Sequence, residues 1–170
     1  MSKTTDIHKK EAPERVKVAV ITVSDTKSQN KEEDTSGTYI KDALKDAGHE
    51  VISYKIVPDD EATIIEAIDY IMEKQSPDAI ITTGGTGISK RDVTIEAVSS
   101  MLEKVLEGFG ELFRSNSHKS IGGAVVATRA IAGVSNGTVI FSLPGSPDAV
   151  RTGMDIILKE IAHIVKHARE

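Results

Sequence analysis

Residues 80–87 read Ile-Ile-Thr-Thr-Gly-Gly-Thr-Gly, a hydrophobic run that passes directly into a turn containing three glycines. Short apolar runs of this kind are typical of strands in parallel sheets, and the glycines mark the point where such a strand ends. We therefore predict a strand over residues 78–83 that enters a glycine loop. Because open α/β sheets bind ligands at the carboxyl ends of their strands, the stretch also predicts where a ligand binds.

Strands and helices are predicted to alternate along the rest of the chain. Hydrophobic runs predict strands over 16–24, 51–57, 78–83 and 138–143, and apolar residues at helical spacing predict helices over 40–47, 64–72 and 147–168. Since parallel connections must cross back over the sheet, this order predicts a three-layer α/β fold, a mainly parallel sheet with helices on both faces. Residues 103–134 stay unassigned: 103–117 could be helical, and 124–134 could form a strand or a strand pair.

Composition excludes several classes of protein. The 170 residues suit one domain, the net charge is −5, and no arginine-rich run could follow a nucleic acid backbone. The chain has no cysteine, which excludes thiolate chemistry and disulfides.

Residues 1–15 are polar and charged, without the apolar core of a signal peptide, and no stretch suits a membrane span, so we expect a cytoplasmic protein. We interpret residues 1–15 as a mobile tail or an arm that packs on a neighbouring subunit, and residues 16–170 as the domain.

The glycine loop is a candidate phosphate site. Glycine allows close approach, so backbone N–H groups and threonine hydroxyls can face an anion. The candidate binding residues are Thr82, Thr83, Gly84, Gly85, Thr86 and Gly87. A P-loop is excluded because Ile88 and Ser89 follow the last glycine, and a dinucleotide fingerprint is excluded because Lys90 stands where it needs glycine. The alternative is a tight turn made only for packing.

A second candidate anion loop follows the strand over 138–143. Pro144, Gly145 and Ser146 precede a long helix, with Ser146 placed as N-cap and Pro147 at the first helical position. A well-capped structural helix start would explain the same residues. If the strands are parallel, both loops share one edge of the sheet with Ser24 and Asp25, which end the first strand.

Acidic residues near these loops predict a metal ion, since carboxylates would otherwise repel a phosphate. Asp59 and Asp60 follow the second strand, and Asp92 follows the glycine loop. Mg²⁺ bound to such carboxylates and to substrate phosphates is typical of nucleotidyl transfer. The alternative is that these aspartates cap helices. Arg129 could meet either a phosphate or a surface carboxylate.

Two other patterns are not interpreted as functional sites. Residues 133–137 read Gly-Val-Ser-Asn-Gly and match G-x-S-x-G, but they precede a strand and are predicted to form an Asn-Gly turn. His163 and His167 share a helical face without a third metal ligand, which favours a solvated face.

Taken together, these motifs resemble the MoaB/Mog family of molybdenum cofactor biosynthesis proteins. The resemblance rests on the glycine loop with Arg91-Asp92 after it, on residues 108–111 and on residues 143–147, and it spans about residues 16–164. Residues 33–37 and 129–134 look more like the MoaB branch. Ile95 departs from the active pattern, in which proline follows the threonine.

The resemblance implies a molybdopterin-binding domain that forms trimers or hexamers. Active members use ATP and Mg²⁺ to adenylylate molybdopterin, and aspartates at the positions of Asp59 and Asp92 support metal binding and catalysis. Some MoaB-branch proteins lack these aspartates and are inactive, whereas this chain keeps both. The alternative is a carrier or assembly protein of the same pathway, which binds the pterin without turnover.

Overall fold

A computed structural model describes residues 12–30 and 32–170, so most of the predicted tail over 1–15 lies outside the described residues. The strands are β1 (Lys17–Val23), β2 (Glu50–Val57), β3 (Ala79–Thr83), β4 (Lys104–Val105), β5 (Ile131–Ser135) and β6 (Thr138–Leu143). The helices are α1 (Asp25–Ser28), α2 (Thr35–Asp46), α3 (Glu61–Gln75), α4 (Thr94–Met101), α5 (Glu107–Ile121) and α6 (Pro147–Ala168), with a 3₁₀-helix over Gly122–Ala127.

The strands form one six-stranded sheet in the order β2-β1-β3-β6-β5-β4. The pairs β1–β2, β1–β3 and β3–β6 are parallel, whereas β5 runs antiparallel to both of its neighbours. The predicted mainly parallel α/β sheet is therefore confirmed. Within the described residues, no helix is long and apolar enough to cross a membrane.

Two apolar cores lie on opposite faces of the sheet and give the three layers. Alternate residues of β1 face opposite sides, so Val18 and Val20 belong to one core and Ala19 and Ile21 to the other. The first core is covered by α2, α5 and α6, and the second by α3 and α4. This arrangement leaves the carboxyl edge of the parallel strands to the loops.

The unassigned region 103–134 contains the short strand β4, the helix α5, the 3₁₀-helix and the strand β5. Asn136 and Gly137 join β5 to β6 with φ values of 48° and 74°, as expected for the two-residue turn of a hairpin. The predicted Asn-Gly turn over 133–137 is confirmed, and a nucleophile elbow there is excluded.

Asp34 fixes the start of α2 against two strands. Its carboxylate is buried and accepts hydrogen bonds from Thr22 Oγ1 at 2.5 Å, from Tyr54 Oη at 2.5 Å and from Gly37 N at 3.0 Å. Burial alone would raise the pKa of Asp34, but these bonds outweigh it and lower that pKa. The first turn of α2 is thereby held against β1 and β2.

Candidate functional site

Three loops meet at the carboxyl edge of the parallel strands, as the sequence predicted. They follow β1, β3 and β6, which are neighbours in the sheet. Gly84 N donates to Leu143 O at 3.0 Å, which joins the glycine loop to the end of β6. A β-carbon at Gly84 would overlap the carbonyl oxygen of Val23 at the end of β1. Only glycine allows the loops to approach this closely.

The glycine loop leaves two backbone donors exposed to a ligand. Gly84 and Gly85 have φ values of 98° and 61°, in the region that favours glycine. Within the described residues, the N–H groups of Gly85 and Thr86 make no hydrogen bond. Successive unpaired N–H groups in a turn of this kind can form a concave anion site.

Arg129 holds this loop from behind. Its Nε donates to Thr86 O at 2.9 Å, and its Nη2 donates to Gly87 O at 2.6 Å and to Asp92 O at 3.2 Å. Its Nη1 pairs with Glu96 Oε1 at 2.5 Å. The sequence left a phosphate and a surface carboxylate as possible partners of Arg129. The structure shows the carboxylate of Glu96, and the other donors of the guanidinium bind the loop carbonyls.

The contacts of Arg129 also orient the loop amides. The C=O and the following N–H point in opposite directions across a planar trans peptide. The Thr86 and Gly87 carbonyls face Arg129, so the N–H groups of Gly87 and Ile88 face away from it. The Gly87 N–H faces the Asp92 carboxylate and helps to lower its pKa, so Arg129 fixes the position of Asp92 as well as that of the loop.

The second loop uses the same arrangement. Thr83 Oγ1 donates to Pro144 O at 3.2 Å, and Ser36 Oγ donates to Gly145 O at 2.9 Å. The N–H groups of Gly145 and Ser146 therefore point away from these two hydroxyls. Ser146 is the N-cap residue of α6, as predicted, but its side chain makes no capping hydrogen bond.

Thr82 does not reach this edge, in contrast to the prediction. Its side chain is fully buried, and its hydroxyl donates to Ser142 Oγ at 2.8 Å between β3 and β6. Strand alternation explains the difference, because Thr82 points into the sheet packing while Thr83 turns toward the second loop.

Asp25 and Asp59 form a carboxylate pair where β1 and β2 end. Asp25 N donates to Asp59 Oδ2 at 2.9 Å, and Asp59 N donates to Asp25 Oδ1 at 3.0 Å. Burial raises the pKa of Asp59, and the neighbouring charges of Asp25 and Asp92 add to this. A hydrogen bond from Arg91, followed by the one from Asp59 N–H, lowers the pKa of Asp25.

Asp60 and Asp92, the other two predicted acidic residues, differ in position and in hydrogen-bond partners. Asp60 is the N-cap of α3 and accepts from Thr63 N at 2.9 Å, so its alternative role as a cap is confirmed. Asp92 is not a cap, because Val93 occupies the N-cap position of α4. Asp92 Oδ2 accepts from Ser89 N at 2.9 Å and lies 2.7 Å from the point where a β-carbon of Gly87 would stand. Hydrogen bonds from Ser89 lower the pKa of Asp92.

Thr94 is a site residue that the sequence reasoning missed. It begins α4 with a fully buried side chain, and its Oγ1 has no hydrogen-bond partner. A β-carbon at Gly85 would overlap this oxygen and would lie 2.7 Å from Asp59 Oδ1. A buried polar atom without a partner indicates a missing ligand group. The sequence signal for this residue is a hydroxyl side chain placed two residues after Asp92.

These oxygens fit a magnesium ion that arrives with phosphates. Within the described residues, no group of three or more His, Cys, Asp or Glu side chains is placed to hold a metal ion. Mg²⁺, however, is usually bound by one or two carboxylates together with water and substrate phosphates. Asp59, Asp92 and the Thr94 hydroxyl, all beside the glycine loop, supply hard oxygen ligands of that kind.

Two adjoining recesses open beside the loops. The first has a volume of about 270 Å³ and is lined by residues 84–87, Asp92, residues 127–129 and residues 144–145. The second has a volume of about 170 Å³ and includes Phe113, Ile121 and Ser146. Thr128 and Pro144 line both recesses, and the second also contains Ser117, Ser120, Asp148 and Thr152, so both recesses have a mixed polar and apolar lining.

Comparison with known proteins gives one consistent result. Residues 19–163 match the family described as "Probable molybdopterin binding domain". The chain is 48% identical over 167 residues to a Pyrococcus furiosus protein named "Molybdopterin adenylyltransferase", with 96% of this chain and 97% of that protein covered. It is also 48% identical over 159 residues to a Bacillus cereus protein named "Molybdenum cofactor biosynthesis protein B", covering 92% and 93% of the two chains.

The fold is also similar to a solved structure. The crystal structure of the tungsten cofactor synthesizing protein MoaB from Pyrococcus furiosus matches with a TM-score of 0.88 at 46% identity. The match covers 94% of this chain and 100% of that one.

Proposed function

This chain belongs to the probable molybdopterin-binding domain family, and we propose on that basis that it is a molybdopterin adenylyltransferase in molybdenum cofactor biosynthesis. The proposed reaction joins AMP from ATP to the phosphate of molybdopterin and releases pyrophosphate. The names of relatives similar over nearly their whole length support this activity. The motifs of the sequence predicted the same family.

The observation that best supports the proposal is the pairing of two anion loops with two carboxylates at one sheet edge. A protein that only binds a phosphorylated pterin needs one anion loop and gains nothing from nearby negative charge. Asp59 and Asp92 beside the glycine loop would repel an anionic ligand on their own. Their presence is explained when a cation shares the site with the phosphates.

The reaction requires little covalent participation from the protein. A phosphate oxygen of molybdopterin attacks the α-phosphorus of ATP, a new P–O bond forms, and the bond to pyrophosphate breaks with its electron pair on the leaving group. The loop amides hold the phosphates, and positioning and electrostatic stabilisation account for catalysis. Asp59, Asp92 and Thr94 would hold Mg²⁺, which when bound neutralises charge on the phosphates.

The two recesses offer separate places for the phosphates and for the ring of the substrate. The first recess, with the glycine-loop amides and Asp92, suits the reacting phosphates. The adjoining recess has Phe113 and Ile121 among several hydroxyl side chains and Asp148, a lining that suits a heterocycle with polar edges. Since Thr128 and Pro144 line both, a phosphate and the ring attached to it could bind side by side.

The deciding experiment is incubation of the protein with molybdopterin, ATP and Mg²⁺, followed by detection of adenylylated pterin and pyrophosphate. Formation of both products in equal amounts supports the adenylyltransferase. Pterin binding without either product would contradict it and would favour the carrier.

A further inference from the structure

Arg91 lies over the carboxylate pair from the end of the glycine loop. Its Nη2 donates to Asp25 Oδ2, and its charge also acts on Asp59. Arg91 immediately precedes Asp92, so one short segment supplies both a cation and a carboxylate to the site. The roles proposed above for the loop amides and the carboxylates do not include Arg91.

We propose that Arg91 is a displaceable counter-ion, which occupies the carboxylate pair of Asp25 and Asp59 before Mg²⁺ binds and then contacts the nucleotide phosphates. This inference rests on the proposed adenylyltransferase activity and adds a residue to it.

The carboxylate pair needs a cation in the absence of substrates. The reciprocal bonds at 2.9 and 3.0 Å hold Asp25 and Asp59 together in spite of their like charges. The charge of Asp92 also acts on Asp59. Among the described residues, Arg91 is the cation that pairs with Asp25. The guanidinium therefore lies next to Asp59, one of the carboxylates that would hold Mg²⁺, and acts on it through its charge.

The exposure of Arg91 distinguishes it from a structural arginine. Its side chain is 69% exposed and its guanidinium has the one carboxylate contact, whereas Arg129 is 30% exposed and bonds to three carbonyls and Glu96. An exposed ion pair of this kind is weak and is screened by salt. Arg91 can therefore leave Asp25 without disturbing the fold, while Arg129 cannot leave the loop.

Displacement would place the guanidinium where negative charge accumulates. A divalent ion held by Asp59 would repel the guanidinium on the adjoining Asp25, and the ion would bring the phosphates with it. Arginine has a planar fork of donors that matches phosphate oxygens. After release, Arg91 can neutralise charge that passes to the pyrophosphate leaving group.

Lys90 provides a matched control for this role. It is exposed, adjacent to Arg91, and makes no ion pair within residues 12–30 and 32–170. Arg91→Gln and Lys90→Gln therefore remove the same charge from neighbouring positions, and they differ in whether the lost group occupied the carboxylate pair.

The test measures Mn²⁺ binding by electron paramagnetic resonance, without nucleotide, in the full chain and both variants. Arg91→Gln should tighten Mn²⁺ binding about threefold to tenfold, because a competing cation is removed, and Lys90→Gln should change it less than about twofold. Turnover with Mg²⁺ should fall about tenfold or more in Arg91→Gln, as expected for a lost phosphate contact. A merely structural role would leave metal affinity unchanged.

The outcomes separate this inference from the proposed function. Equal Mn²⁺ affinities for the two variants, in a protein that does adenylylate molybdopterin, would overturn the role of Arg91 alone. Failure of the unmodified protein to bind Mn²⁺ or to form adenylylated pterin would overturn the proposed function and the role of Arg91 together.

Discussion

Asp25 and Asp59 each donate a backbone N–H to the carboxylate of the other, and these reciprocal bonds join the ends of β1 and β2. The arrangement keeps Asp59 in place although burial and neighbouring charges disfavour its ionised form. A carboxylate held against its electrostatic preference is typical of a functional site.

Asp59→Asn should make the protein more stable and less active. The pKa of Asp59 is raised above 3.8, so the folded state binds its proton more tightly, and stability decreases as pH rises through the window above 3.8. Removal of the charge should raise Tm at pH 7 by about 1–4 °C. Adenylylation should decrease about a hundredfold. Thermal unfolding without Mg²⁺ and product formation with Mg²⁺ measure the two effects.

The control for this variant is Asp69→Asn on the exposed face of α3, which should leave turnover unchanged. The stability gain in Asp59→Asn should shrink as the pH is lowered from 7, because the unmodified carboxyl takes up its proton at a pH above its ordinary range. A lower Tm at neutral pH, or normal turnover, would contradict the assigned environment of Asp59.

Asp92→Asn should also lose activity, but without a gain in stability. The pKa of Asp92 is lowered by hydrogen bonds from Ser89, so its ionised form stabilises the fold above the unfolded pKa, and that contribution is lost as pH falls through the folded pKa. We expect a small decrease in Tm and about a hundredfold loss of adenylylation, with much less change in pterin affinity. Near-normal turnover in both aspartate variants would refute their roles.

Gly85→Ala should weaken binding of ATP and molybdopterin. Gly85 has a φ of 61°, and a β-carbon there would overlap Thr94 Oγ1 and approach Asp59 Oδ1 to 2.7 Å. The left-handed conformation alone should destabilise the protein by about 1–2 kcal/mol. Isothermal calorimetry should detect the loss of affinity at a temperature where the variant is folded.

Gly48→Ala is the matched control for the backbone effect. Gly48 has a φ of 85°, and a β-carbon there meets nothing within 4 Å. It should therefore lose similar stability and keep both affinities. Equal affinities in the two glycine variants would show that the glycine loop does not hold the phosphates.

The elements that the sequence predicted are those whose signal is local. The runs over 16–24 and 138–143 reveal β1 and β6 because all of their residues except Lys17, Ser24 and Ser142 are apolar or β-branched. Strand β5 was not assigned because it is short and runs antiparallel beside the two-residue strand β4. Pairing of that kind depends on tertiary contacts and leaves little periodicity in the sequence.

The site could be located from the sequence, but its internal contacts could not. The glycine loop, Asp59 and Asp92 follow predicted strand ends, so their meeting at one edge follows from parallel topology. The bond from Ser36 to Gly145 joins residues 109 positions apart, and the bond from Arg129 to Thr86 spans 43 positions. Such pairs have no local signature, which is why Arg129 was left with two alternatives and Thr94 was missed.

Val126→Asp should dissociate the trimer or hexamer that the family resemblance predicts. Large apolar side chains are exposed at five positions between residues 88 and 126, and Val126 is 90% exposed. The concentration of exposed apolar side chains in one segment of the chain favours a subunit interface there. Light scattering should give an oligomer for the unmodified protein and a smaller species for the variant.

Tyr70→Asp on α3 is the control for this surface, since Tyr70 is 51% exposed and lies outside the 88–126 segment. It should leave the mass unchanged. A stable monomer at micromolar concentration in the unmodified protein would remove the prediction.

Arg129→Gln should impair catalysis through the orientation of the glycine loop. The guanidinium bonds to the carbonyls of Thr86, Gly87 and Asp92, so its loss frees the peptides whose amides face the other side. Misplacement of binding groups by about 1 Å can lower rates by about a hundredfold. We expect kcat/KM to fall about tenfold to a hundredfold, with an increase in the KM for ATP.

Two comparisons distinguish this positioning role from a loss of charge or of stability. Arg129→Lys keeps the charge, but one ammonium group cannot reproduce the fork that spans Thr86 O and Gly87 O, so it should be almost as impaired. Guanidinium ion at a few millimolar should restore part of the activity to Arg129→Gln and none to Arg91→Gln, because only the site of Arg129 is half-enclosed. Arg151→Gln, which removes an exposed ion pair with Asp148, should leave kcat/KM unchanged. Full activity of Arg129→Lys would mean that positive charge alone is needed at this position, and the carbonyl anchoring would then have no part in catalysis.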